Sequence, residues 1–81
     1  MKVLTFAWVR TQTGEAVLEV TTTAATAGDL LDQLIATRPT WQGLAARRAE
    51  SRFAVDQRFV EADAPLEGAR EVAFFPPVTG G

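Results

Sequence analysis

The sequence predicts an α+β domain: a mixed β-sheet with one main helix packed across it and a short second helix. Three observations predict it. Strand-like apolar runs open the chain, a capped amphipathic stripe lies between Thr26 and Pro39, and short β-rich runs return between Phe53 and Phe75. An amphipathic helix must bury its stripe, and one face of a sheet provides the cover. The length of 81 residues, 47% apolar and 22% charged, suits one small globular domain with one core.

Residues 3–9, V-L-T-F-A-W-V, read as a strand, because Val, Thr, Phe and Trp suit a pleated surface. Alternation sets Leu4, Phe6 and Trp8 on one face and Val3, Ala7 and Val9 on the other, and apolar groups on both faces mark a central strand. Residues 11–15 contain Gly14 and read as a turn. Residues 16–21 alternate Ala16, Leu18 and Val20 against Val17, Glu19 and Thr21, which makes a second strand in a hairpin with the first. Thr26, with Asp29 three residues on, resembles a capping box with a shorter acid. Ala27, Leu30, Leu31, Leu34 and Ile35 then form one apolar stripe. Pro39 stops the helix, since it lacks an N–H and clashes with the preceding turn.

Trp41, Leu44 and Ala45 fit the short second helix, with Trp41 packing that region. Residues 53–55 and 58–60 form a small hairpin around Asp56 and Gln57. Residues 63–68 are a loop, where Pro65 and Gly68 supply turn geometry and Leu66 plugs the core. Residues 71–75 are the last strand, with Val72 and Phe74 on one face and Ala73 and Phe75 on the other. This element order matches a β-grasp, or ubiquitin-like, sheet. The crossover rule places the first and last strands side by side and parallel. The domain spans residues 1–75, and residues 76–81 form an extended tail ending in Gly-Gly.

Composition narrows the function. With no Cys and no His, a disulfide framework, thiolate chemistry, the usual zinc sites and any Ser-His-Asp or Cys-His arrangement are excluded. A net charge of -2 argues against nucleic acid. The local run Arg47, Arg48 and Arg52 reads as a solvated helix end and strand start; its other reading is a rim meeting an acidic partner. No Gly-rich nucleotide loop is present. The apolar stretch 3–9 is too short to span a membrane, and no cleavable export segment precedes it, so the cytoplasm is the expected location.

The tail carries most of the functional information. Pro76 and Pro77 end the strand and favour an extended polyproline conformation. Val78 and Thr79 resist helix formation, and Gly80 and Gly81 have no side chains. A terminal carboxylate with pKa about 3.5 is ionised and a poor electrophile until an oxygen becomes a leaving group. Adenylation by an ATP-using partner would achieve that, and sulfur replacing AMP would leave a nucleophilic thiocarboxylate. Two glycines let such a group enter a narrow cleft. The plain alternative is an inert frayed end.

The ending V-A-F-F-P-P-V-T-G-G, residues 72–81, resembles the C-terminus of the molybdopterin synthase small-subunit family. Residues 2–10, K-V-L-T-F-A-W-V-R, resemble that family's first strand, and F-A-V-D-Q at 53–57 resembles its A-V-N-Q stretch. The departures are Asp56, where the family often carries Asn, and residues 69–71. The resemblance implies a sulfur carrier. An adenylyltransferase would activate Gly81, and a sulfur donor such as a cysteine desulfurase or rhodanese-like protein would convert it to the thiocarboxylate. The tail would then enter the large subunit and give sulfur to cyclic pyranopterin monophosphate, in a heterotetramer of two large and two small subunits.

By that resemblance Gly81 is the carrier and Gly80 allows entry to both partners. Phe75, Pro76, Pro77, Val78 and Thr79 are docking residues. Trp8 and Arg10 are further interface candidates; Phe6 and Phe74 are read chiefly as core. The chain itself is expected to bind no cofactor, with ATP used by the activating partner. Two alternatives share the Gly-Gly logic: a thiamine-pathway sulfur carrier and a ubiquitin-like protein modifier. A third is a non-enzymatic interaction module with an inert tail.

Overall fold

The computed structural model describes residues 1–77; Val78, Thr79, Gly80 and Gly81 lie outside the described residues. Its strands are β1 (Lys2–Thr5), β2 (Val17–Glu19), β3 (Arg52–Val55), β4 (Arg58–Val60) and β5 (Glu71–Phe75). They form one sheet in the order β2-β1-β5-β3-β4. β1 and β5 are parallel, and the remaining neighbours are antiparallel. The helices are α1 (Ala7–Thr13) and α2 (Ala27–Thr37), followed by a 3-10 run over Pro39–Glu50. This is the α+β, β-grasp arrangement that the element order predicts, including the parallel first and last strands.

α2 starts where its cap dictates. Thr26 Oγ1 accepts a hydrogen bond from the Asp29 amide at 3.1 Å. The first helical amides, otherwise without partners, are taken by a loop: Ala27 N–H donates to Ala64 O at 3.0 Å and Gly28 N–H to Ala62 O at 2.7 Å. That strap brings Leu66 down into the core. Ala27, Leu30, Leu31 and Leu34 are buried as the stripe requires, whereas Ile35 is only half-buried. After Arg38, Pro39 opens the 3-10 run at a position where a missing N–H costs nothing.

The core lies between one sheet face and these helices. Val3, Thr5, Leu18, Phe53, Val72 and Phe74 come from the sheet; Trp41 and Leu44 come from the 3-10 run. Phe74 meets Trp41 and Phe53 edge-on, with centroids 5.7 and 5.8 Å away. Each such side chain contributes about 1.5–3 kcal/mol by leaving water.

The β3–β4 hairpin turns through Asp56 and Gln57 at φ 48° and 70°, the paired positive values of a type I′ turn. Asp56 also accepts hydrogen bonds from the Arg70 and Glu71 amides at 2.9 and 3.0 Å, fastening the entry to β5.

The start of the chain departs from the strand read over residues 3–9. β1 ends at Thr5, and residues 7–13 form α1. Ala7 turns the chain with φ 51°, and Gly14, at φ 74°, closes the helix by donating to Arg10 O at 2.8 Å. Val9 and Thr13, four residues apart, are the buried positions of α1. The Arg10 guanidinium donates to Thr5 O at 3.0 and 2.8 Å, so the last carbonyl of β1 serves the helix rather than a longer ladder. β1 and β2 therefore pair antiparallel across a helix, not through a tight turn, and β2 is shorter than residues 16–21.

Candidate functional site

The sheet's second face is built by its register. Val17 pairs with Leu4, Leu4 with Ala73, Ala73 with Ala54, and Ala54 with Phe59. Directly paired residues share a face, so one apolar row crosses all five strands. The row is open at its ends, with Val17 58% and Phe59 73% exposed. An apolar groove of about 330 Å³ lies over it. The methyls of Ala54 and Ala73 make the floor, while Leu4, Phe6, Phe59 and Phe75 are the walls and Gln57 and Glu71 the polar end.

The aromatic walls brace one another. Phe6 stacks on Phe75 at 4.6 Å with planes 4° apart, and Phe59 leans on Phe75 at 5.3 Å. Such pairs contribute about 0.5–1.5 kcal/mol beyond area burial. Phe75 is the last residue of β5, so the groove adjoins the point where the chain passes into Pro76 and Pro77. Both prolines are half-buried and lie outside the strand.

Of the expected docking residues, Phe75 lines the groove, and Pro76 and Pro77 follow it in the chain. Val78, Thr79, Gly80 and Gly81 lie outside the described residues. Phe6 is half-buried on the open face rather than core, because the chain bends out of the sheet immediately after it. Phe74 is core.

Trp8 and Arg10 do not join the groove wall. Trp8 sits on α1 rather than on a sheet face, and the Arg47 guanidinium covers its ring at 4.4 Å. Arg10 is engaged with Thr5 O and lies 5.4 Å from the Phe6 ring centroid, so it braces the groove from behind.

Phe59, Leu4, Ala54 and Ala73 belong to the site although no sequence motif singles them out as docking residues. Their signal was the apolar character of both faces of β3 and β5.

Other charged groups serve the fold. Glu15 accepts from Arg38 Nε at 3.0 Å, from Arg38 Nη2, and from Trp41 Nε1 at 2.8 Å. Those hydrogen bonds from Arg38 and then Trp41 hold its carboxyl below the ordinary value, against the opposing effect of burial. Arg47 pairs with Glu50 at 2.7 Å and Arg48 with Asp32 at 2.9 Å, which fits the solvated reading of the basic run. Among the described residues no cluster of three or more His, Cys, Asp or Glu could hold a metal ion. No helix among them is long and apolar enough to cross a membrane.

Comparison with known proteins gives a consistent result. The ThiS family model matches residues 3–81. The molybdopterin synthase sulfur carrier subunit of Escherichia coli is 42% identical over 81 residues, covering 100% of this chain and 99% of the relative. The protein of the same name from Haemophilus influenzae is 31% identical over the same shares of both chains. In structure, SAMP1 from Haloferax volcanii superposes with a TM-score of 0.74 at 25% identity, covering 99% of this chain and 97% of that one. The chain belongs to the ThiS family, alongside the molybdopterin synthase sulfur carrier subunits.

Proposed function

We propose that this chain is the sulfur-carrier subunit of a molybdopterin synthase and that the Gly81 carboxylate is its carrier group. The observation that carries the reading is the junction at Phe75. An apolar groove with an exposed aromatic ends where the Pro-Pro-Val-Thr-Gly-Gly segment begins. A partner gripping the groove would receive the tail in a fixed direction, and exposed apolar surface of this kind marks an interaction site.

The chemistry follows from the terminus. A partner adenylyltransferase transfers AMP from ATP to the Gly81 carboxylate, releasing pyrophosphate. The persulfide of a donor such as a cysteine desulfurase or rhodanese-like protein attacks the acyl carbon and AMP leaves. A thiol then reduces the S–S bond of the resulting acyl disulfide, leaving the thiocarboxylate on Gly81 and a disulfide on the donor side. The loaded tail enters the large subunit, where its sulfur attacks an oxygen-bearing carbon of cyclic pyranopterin monophosphate, the C–S bond forming as a C–O bond breaks and the oxygen departs. Hydrolysis of the resulting acyl link returns the Gly81 carboxylate, and two such transfers supply the two dithiolene sulfurs. Gly80 has no Cβ to obstruct the approach, and prolines such as Pro76 and Pro77 favour an extended spacer. The catalytic side chains are the partners'; this chain supplies the docking face and the moving acyl group.

The names of the full-length relatives favour molybdopterin over the thiamine pathway or protein modification. The test removes Gly81, or adds one residue after it, and follows sulfur loading by intact mass. Loading should vanish while the fold persists. Normal thiocarboxylate formation on either altered chain would contradict the assignment.

A further inference from the structure

Amine nucleophiles are scarce in this chain. Lys2 is the sole lysine among its 8 Lys and Arg residues, and there is no Cys or His. Guanidinium groups stay protonated and do not attack acyl centres. The Met1 amine is tied down: it donates to Val20 O at 3.1 Å and pairs with Glu19 at 3.5 Å. Lys2 is exposed. It lies two residues before Leu4 in β1, so it projects from the groove face. Its partner on β5 is Glu71, which forms the polar end of the groove.

Resting on the reading that Gly81 is activated, we propose that Lys2 is the acceptor at which the activated tail of a second copy of this chain acylates the carrier. A partner seated on the groove covers that acceptor. The Lys2 amine, having given its proton to solvent, attacks the carbonyl carbon of the Gly81 acyl adenylate. The C–N bond forms, the bond to the AMP oxygen breaks, and AMP leaves with the electron pair. The amine's second proton goes to solvent, and an isopeptide bond joins the two copies.

The geometry makes this a reaction between copies. β1 and β5 run parallel with Lys2 opposite Glu71, so Lys2 sits at the end of the sheet away from Phe75. About 13 Å of strand separates the two levels. Pro76 and Pro77 favour carrying the chain onward rather than back. A lysine-poor chain leaves a single lysine for this side reaction, placed beside the surface that docking closes.

The test incubates the full chain with the cognate adenylyltransferase and ATP, without a sulfur source, while AMP release and intact mass are followed. The expected product is a covalent dimer of twice the chain mass less one water, with the linkage mapped to Lys2. It should be absent for Lys2→Arg, a variant that still loads sulfur normally when a donor is supplied. Excess large subunit should suppress the dimer. Linkage at Met1, closure within one chain, or a dimer undiminished by the large subunit would overturn the proposal. Adenylate formation with no amide would overturn it alone, whereas no adenylate at all would take down the functional reading as well.

Discussion

Replacing Phe59 by Ala separates docking from folding. A Phe side chain has roughly 150–250 Å² to bury. With 73% of Phe59 exposed, about 110–180 Å² remains for a partner, or about 2.5–4.5 kcal/mol at the usual apolar coefficient. The share buried within the domain is worth no more than about 1–1.5 kcal/mol, and less against a realistic unfolded chain. Truncation of a central aromatic in an interface costs about 2–4 kcal/mol, so affinity for the large subunit should fall about 30- to 700-fold. Isothermal calorimetry with the large subunit, beside urea denaturation of the isolated chain, reads both quantities. An affinity within about threefold of the parent, on a folded variant, would remove Phe59 and the groove argument with it.

Three further outcomes follow from the geometry. Glu15→Gln weakens the bonds from Arg38 and Trp41 and should lower stability by about 1–2 kcal/mol at neutral pH, towards the low end because the carboxylate is partly exposed. Its pKa is depressed in the fold from the ordinary 4.5, so this stabilisation is complete above that value and is lost as pH falls through the lower folded value. Denaturation from pH 7 to 3 should show the parent and Glu15→Gln converging in acid, and a constant gap would refute the assignment. Gly28→Ala places a Cβ 2.7 Å from Arg48 Nη2 and 3.0 Å from Ala62 O, and should cost about 1–3 kcal/mol; an unchanged melting temperature would show that the loop yields freely. Gln57→Gly relieves a side chain held at φ 70° and should raise stability by about 0.5–1 kcal/mol, with a lower melting temperature as the contrary result.

Much of this fold is legible in the residues themselves. Thr26, the Leu30–Leu31–Leu34 stripe and Pro39 define α2 through local chemistry, and the structure places its ends there. The β3–β4 hairpin, Leu66 and the buried Trp41 also follow from local pattern. The region after Thr5 does not. Phe6, Trp8 and Val9 carry strand propensity, yet tertiary contacts override it: Val9 and Thr13 find the core at helical spacing, and Arg10 returns to the Thr5 carbonyl. A helix of seven residues leaves too little period to outweigh that propensity.

The tail motif is readable because its chemistry is local to six residues. The groove is not, because it exists only through the register that sets Leu4, Ala73, Ala54 and Phe59 in one row. Sequence alternation can say that both faces of β5 are apolar; it cannot say which face the helices leave open.

If Gly81 carries sulfur between two partners, the mass of the chain must rise and fall with each transfer. Intact mass after incubation with the adenylyltransferase, ATP and a sulfur source, followed by the large subunit and cyclic pyranopterin monophosphate, tests it most directly. A mass gain equal to oxygen replaced by sulfur should appear on the C-terminal glycine and be lost again as molybdopterin forms. No gain, with the adenylyltransferase active on another carrier, would contradict it.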